Sequence, residues 1–101
     1  IVANSHEQIS VMMPESISLE AAYPNPFNPS TTMRLYVPVE GVVDVKIYNV
    51  MGQQVGVLNE GVISSGYTNL TWNASDQPSG MYIVRAISEG LTISQKVMLL
   101  K

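Results

Sequence analysis

The sequence predicts an all-β fold in which antiparallel strands form a sandwich. Short runs rich in Val, Ile, Tyr and Thr follow one another from residue 31 onward, and turns or loops that contain glycine separate most of them. The runs begin about 11 to 14 residues apart, and no stretch between them is long enough for a crossover helix. We therefore expect an antiparallel immunoglobulin-like β-sandwich of about seven strands.

Hydrophobic alternation supports the strand assignment. In the first clear run, the apolar residues Met33, Leu35 and Val37 alternate with Arg34 and Tyr36, and the second run alternates in the same way. One face of each strand therefore belongs to the core. The candidate strands, in chain order, are TTMRLYV, VVDVKIYNV, QQVGVL, GYTNLTW, GMYIVRAIS and LTISQKVMLL.

Turn-forming residues lie where these runs end. NVMG has Asn49 at the first and Gly52 at the fourth position of a predicted type I turn. SEGL predicts a tight hairpin between the last two strands, whereas VISSG and NASDQPSG are longer connections. These turns join neighbouring strands in an antiparallel sense.

The start of the chain divides into three parts. EQISVMM is either a linker remnant or an edge strand, and SISLEAAY offers a further strand. The proline segment, residues 23–29, follows; its prolines fix φ, lack an N–H and exclude a helix or a central strand. We expect an extended edge or entry loop that Phe27 anchors to the core. We assign residues 1–16 to a linker or edge strand and residues 17–101 to one domain.

Composition argues against several classes of partner and of chemistry. The net charge is −3 and the five basic residues are scattered, so we expect no nucleic-acid partner. Cysteine is absent, which excludes disulfides and thiolate sites. The single histidine, His6, lies in the least structured part, and the eight carboxylates are spread over turns and strands. We therefore predict that the chain is not an enzyme and takes no small-molecule substrate or cofactor.

Two groups of residues leave alternatives open. Asn73, Ser75 and Asp76 could contribute oxygens to a calcium site, although Asx-type turns explain the same residues. Trp72 is in phase with the apolar residues of its strand, which favours a core position over a sugar-binding platform. Tyr36 and Tyr48 lie on the charged faces of their strands and are better placed to contact a partner.

Four segments resemble the C-terminal sorting domains of type IX (Por) secretion substrates. They are YPNPFNPST with the strand after it, VKIYNVMGQQV, LTWNASDQPSGMYIVRA and SQKVMLLK, and they cover about residues 17 to 101 in family order and spacing. Two departures occur: Asn73 replaces the usual aspartate, and Val97-Met98 reverses the usual methionine-valine order. The family signature, by resemblance, comprises Pro24, Asn25, Pro26, Phe27, Asn28, Pro29, Gly52, Trp72, Gly80 and Tyr82.

The resemblance implies a non-catalytic, removable address label. The domain would follow a covalently attached N-terminal cargo protein, cross the periplasm transiently and be recognised by the outer-membrane type IX translocon. A sortase-like peptidase would then cleave upstream, within residues 4–16, leaving the cargo secreted or at the cell surface. The resemblance places translocon recognition at Lys96, Val97, Leu99, Leu100 and Lys101.

Two other functions remain open from the sequence. The chain could be an immunoglobulin-like or fibronectin-like structural spacer of a surface protein, since such spacers share the fold. A carbohydrate-binding module that uses the exposed tyrosines is the other alternative. The last strand could also pair with a partner's sheet edge, or it could be a buried closing strand whose tip projects.

Overall fold

The computed structural model describes residues 16–101, which form nine β-strands and no helix. Within this range no helix has the length and hydrophobicity needed to cross a membrane. The all-β prediction is confirmed, and every candidate run contains a strand. The strands are β1 (Ser18–Leu19), β2 (Ser30–Val37), β3 (Gly41–Val42), β4 (Asp44–Asn49), β5 (Gln54–Asn59), β6 (Val62–Ile63), β7 (Gly66–Asn73), β8 (Gly80–Ser88) and β9 (Leu91–Leu99).

The strand count exceeds the expected seven because three strands are only two residues long. These are β1, β3 and β6, and sequence periodicity cannot detect an element of that length. SISLEAAY contains β1, as predicted for a further strand. EQISVMM lies outside the described residues.

The strands form two main antiparallel sheets. One has the order β1-β2-β7, the other has the order β5-β4-β8-β9, and β3 pairs with β6 in a short ribbon. This order is consistent with an immunoglobulin-like sandwich. The β8–β9 register runs from Gly80↔Leu99 to Ser88↔Leu91. We call the two ends of the sandwich the Leu99 end and the Ser88 end.

The core lies between the two sheets and follows the predicted alternation. The inward residues of β2 and β4 are nearly inaccessible to solvent. Inward residues of β7, β8 and β9 belong to the same buried cluster, to which both sheets contribute. Trp72 is buried, as predicted, and its ring lies 5.6 Å from that of Phe27 and 5.1 Å from that of Tyr82. Such aromatic pairs each add roughly 0.5–1.5 kcal/mol beyond the burial of their area.

Two turns have the predicted geometry. Glu89 and Gly90 have φ values of 48° and 81°, as a two-residue type I′ hairpin requires. At the other turn, the Gly52 N–H donates to the Asn49 carbonyl at 3.0 Å, and the Asn49 Oδ1 accepts from the Gln53 N–H at 3.0 Å. Both turns therefore fix the register of the strands that they join.

A tyrosine hydroxyl ties the start of β8 to the loop before it. The Tyr82 hydroxyl donates to the Pro78 carbonyl at 2.6 Å. A tyrosine near the start of this strand, bonded to backbone a few residues upstream, is a hallmark of immunoglobulin-like sandwiches. Burial raises the pKa of Tyr82, and the nearby charge of Asp76 raises it further. The neutral, donating form of the hydroxyl is therefore favoured.

Candidate functional site: the end of the last strand

The five residues with an expected role in recognition divide into a buried pair and an exposed group. Val97 and Leu99 are 1% and 0% exposed, because alternate residues of β9 face the core. Lys96, Leu100 and Lys101 are exposed. A partner of the folded domain therefore reaches only the exposed three, whereas the buried pair holds the strand in place.

The proline segment lies directly beside this strand end. The Phe27 N–H donates to the Met98 carbonyl at 2.9 Å, and the Leu100 N–H donates to the Phe27 carbonyl at 3.0 Å. These bonds form a parallel bridge between Phe27 and Leu99. The Phe27 side chain is 2% exposed and packs against Trp72. The prediction that Phe27 anchors this segment to the core is confirmed, and the segment is an entry loop with bends at residues 24–26 and 28–29 rather than an extended edge.

Asn25 supplies the hydrogen-bonding groups that its neighbouring prolines lack. Its Nδ2 donates to the Lys96 carbonyl at 3.2 Å, and its Oδ1 accepts from the Met98 N–H at 2.9 Å. Because Pro24 and Pro26 have no N–H, a side-chain amide takes the place of main-chain pairing. The proline segment thus acts as a strand substitute along β9.

The chain before the proline segment also contacts β9. The Gln95 Oε1 accepts from the Ala22 N–H at 3.0 Å, and the Gln95 Nε2 donates to the Glu20 carbonyl at 2.9 Å. Asn25 and Phe27 bond the main-chain edge of β9 from Lys96 to Leu100, and the Gln95 side chain adds these contacts beside it. The edge is therefore occupied within the domain, which favours a closing strand with an exposed tip over pairing with a partner's sheet at this position.

The loop before β8 packs onto the same strand end. The Lys101 N–H donates to the Ser79 Oγ at 2.9 Å, and the Lys101 Nζ donates to the Ser75 carbonyl at 2.7 Å. The Ser75 N–H donates to the Asn73 Oδ1 at 2.9 Å, so the Asx-turn interpretation of this loop is confirmed. Oxygen atoms of this loop that a calcium ion would need as ligands, the Ser75 carbonyl and the Asn73 Oδ1, therefore accept hydrogen bonds from within the domain.

The other charged side chains of residues 16–101 do not gather into a further site. Glu20 pairs with Arg34 at 2.9 Å and Glu60 with Lys46 at 3.7 Å, both near the surface. The bond and the charge of Glu20 raise the pKa of Arg34. Residues 16–101 hold no group of three or more His, Asp or Glu side chains that could bind a metal ion. His6 lies outside the described residues.

Tyr36 and Tyr48 do not form a common surface. Tyr36 is on β2 and Tyr48 is on β4, so they belong to different sheets and face solvent on opposite sides of the sandwich. The Arg85 guanidinium lies 4.9 Å from the Tyr48 ring centroid, and Tyr36 packs at 5.0 Å against Tyr67. A sugar platform built from Tyr36 and Tyr48 together is therefore not available.

The residues named as a family signature gather at the Leu99 end. The proline segment lies on β9, Gly52 closes the turn after β4, and Gly80 pairs with Leu99. The sequence matches the family described as secretion system C-terminal sorting domain over residues 21–100. The chain belongs to this family. None of the curated proteins compared with the sequence matches it.

Family membership makes this chain a type IX C-terminal sorting domain, and secretion follows from that class of domain. Sequence reasoning missed two residues of its last strand. Gln95 was not expected to bind the entry chain, because that contact joins residues more than 70 positions apart. Met98 could have been found, since it lies between two inward residues and must face outward.

Proposed function

We propose that the domain directs a covalently attached N-terminal cargo protein across the outer membrane through the type IX translocon. The observation that carries this proposal is the family match over residues 21–100, within which the last strand ends in an exposed tip. The domain acts as a non-catalytic signal that passes through the periplasm. Its cargo then reaches the cell surface or the medium.

We place recognition at the exposed side chains around the end of β9. Lys96, Leu100 and Lys101 present one apolar and two ammonium groups, and Val97 and Leu99 hold the strand in place from the core. The outer edge of β9 is already bonded to Asn25 and Phe27. Side-chain contacts therefore support recognition better than strand addition at this edge.

We further propose that residues 1–16 are the linker to the cargo and that a sortase-like peptidase cleaves within residues 4–16. Cleavage there leaves the sandwich intact, because the core begins at Ile17 among the described residues. A linker outside the packed strands is the preferred kind of site for proteolysis. A structural spacer remains the alternative, since the fold alone fits both functions.

The proposal is tested by fusing the 101-residue chain to the C-terminus of a fluorescent protein in a bacterium that has the type IX system. We expect the fluorescent protein at the cell surface or in the medium. The same protein without the domain, carrying only the inner-membrane export signal, is the control and should stay in the periplasm. Retention of both proteins in the periplasm would contradict a sorting function and support a spacer.

A further inference from the structure

Exposed apolar side chains from three separate elements meet at the Leu99 end. Met51 in the turn after β4 is 78% exposed, Met81 at the start of β8 is 37% exposed, and Leu100 after β9 is 53% exposed. Met98 pairs with Met81 across β8 and β9 and is half-buried. We call Met51, Met81, Met98 and Leu100 the methionine surface.

Two open hollows join the three methionines of this surface. One, of about 390 Å³, lies between the turn after β4 and the loop before β8, and both Met51 and Met81 line it. The other, of about 330 Å³, lies between the proline segment and β9, and it is lined by Met81, Met98 and Lys96. Met81 is common to both, so the surface is continuous from the turn to the last strand. Methionine is a flexible, polarizable side chain that adapts to irregular partners.

The charges of the domain differ between its two ends. The Ser88 end carries four carboxylates with two cations, Lys46 and Arg85, and Lys46 pairs with one of these carboxylates, whereas the Leu99 end carries Lys96 and Lys101 with one carboxylate, Asp76. Neither lysine of the Leu99 end forms an ion pair with a described residue. The Lys101 Nζ donates to the Ser75 carbonyl instead. The acidic residues of the Ser88 end are Glu40, Asp44, Glu60 and Glu89.

We propose that the methionine surface docks into an apolar groove, rimmed by carboxylates, on the protein of the export machinery that receives the domain. This inference rests on the proposed function and adds Met51, Met81 and Met98 to the recognition residues. The apolar side chains fit the groove, and Lys96 and Lys101 face its acidic rim. The surface adjoins the tip of β9, so one partner contacts both.

The Ser88 end of the sandwich offers matched control residues. Ile87 is on the same face of β8 as Met81 and is also 37% exposed. Val39 is 75% exposed, which is similar to the exposed fraction of Met51. The test compares the Met51→Ser/Met81→Ser variant with the Val39→Ser/Ile87→Ser variant, each fused to the fluorescent cargo. Both replace two exposed apolar side chains with hydroxyls. A thermal melt of each variant establishes that the fold is kept.

We expect export of the Met51→Ser/Met81→Ser fusion to fall about tenfold, the effect of losing an interface anchor, and the control to stay within about twofold of the unmodified fusion. Equal export of all three fusions would overturn the docking surface but leave the sorting function standing. Failure of the unmodified fusion to leave the periplasm would overturn both.

Charge is tested by substitution of one lysine. Lys96→Gln removes the positive charge and Lys96→Glu reverses it, so an acidic rim predicts a graded loss of export, with the larger loss for Lys96→Glu. Unchanged export of Lys96→Glu would overturn the acidic partner.

Two other partners of the methionine surface, a second copy of the chain and a lipid membrane, would give results that differ from those expected for a protein of the export machinery. Sedimentation of the purified chain reports self-association, and flotation with anionic phosphatidylglycerol vesicles reports lipid binding. We expect a monomer that does not float. A dimer, or vesicle binding, that disappears in the Met51→Ser/Met81→Ser variant would overturn a protein groove of the export machinery in favour of a second copy or a lipid surface.

Discussion

At the scale of single residues, the domain depends on polar side chains that replace missing backbone bonds. Asn25 pairs with β9 where prolines cannot, Gln95 binds two backbone groups of the entry chain, and Tyr82 satisfies the Pro78 carbonyl. Each of these bonds joins a loop to a strand. Their loss would loosen the Leu99 end without removing apolar core.

Tyr82→Phe isolates one such bond. We expect the free energy of unfolding at pH 7 to fall by about 1 kcal/mol, the usual net contribution of a hydrogen bond. Because burial raises the pKa of Tyr82, its stabilising contribution is fully present below the ordinary tyrosine value of about 10 and is lost as the pH rises through the folded-state pKa. Urea unfolding at several pH values should therefore show that the free energies of unfolding of the unmodified and Tyr82→Phe proteins converge as the pH rises above about 10.

Tyr67→Phe is the control for this substitution. The Tyr67 ring is exposed, and its hydroxyl forms no hydrogen bond with a described residue. We expect a change within about 0.5 kcal/mol at pH 7. A Tyr82→Phe protein as stable as the unmodified one at pH 7 would contradict the assigned bond.

At the scale of elements, the proline segment and β9 form one unit. The segment provides an aromatic anchor and a side-chain amide, and the strand provides main-chain groups. The prolines lack N–H groups, so the segment's exposed side is a poor template for further pairing. The entry to the fold and its proposed recognition element therefore depend on each other.

Asn25→Ala tests this unit. We expect the amide hydrogen of Met98 to exchange about fivefold faster with solvent, because removal of its acceptor costs about 1 kcal/mol of local protection. The measurement is hydrogen exchange followed by NMR.

Asn28→Ala is the matched control, since Asn28 is exposed in the same segment and its side chain bonds no described residue. We expect the Met98 amide to keep its exchange rate in this variant. Equal acceleration in both variants would show that the segment responds as a whole rather than through the Asn25 amide.

Prediction from sequence succeeded where the signal was local. Alternation placed Met33 and Ile47 in the core, and turn chemistry predicted the Asn49 and Glu89 turns, because these depend on neighbouring residues. The contacts of Asn25 and Gln95 join distant parts of the chain and have no period or spacing. The same limit left a sugar-binding surface on Tyr36 and Tyr48 open as an alternative, since strand patterns do not tell which sheet a strand joins.

At the scale of the whole molecule, the two ends differ in character. The two ends lie about 27 Å apart along β8, at the usual rise of a strand. Carboxylates lie at the Ser88 end, and exposed methionines and lysines lie at the Leu99 end. The residues expected as the family signature also lie at or near the Leu99 end. This polarity supports a domain that presents one end to its receptor while its core stays folded.

The folded state matters for any test of the last strand. Deletion of residues 97–101 would remove two buried core side chains, Val97 and Leu99, and would unfold or loosen the domain. Loss of export by that deletion could not separate recognition from folding. Substitution of the exposed side chains avoids this ambiguity.

The most direct measurement is therefore the exported fraction of a fluorescent cargo fused to the chain with Lys96→Ala, Leu100→Ala and Lys101→Ala, after a thermal melt confirms folding. The control changes Leu91, Thr92 and Ser94, which are exposed at the start of the same strand, to Ala. We predict that export falls at least about tenfold for the first variant and stays near that of the unmodified fusion for the control. Unimpaired export of the first variant, or an equal loss in the control, would contradict recognition at the tip of β9.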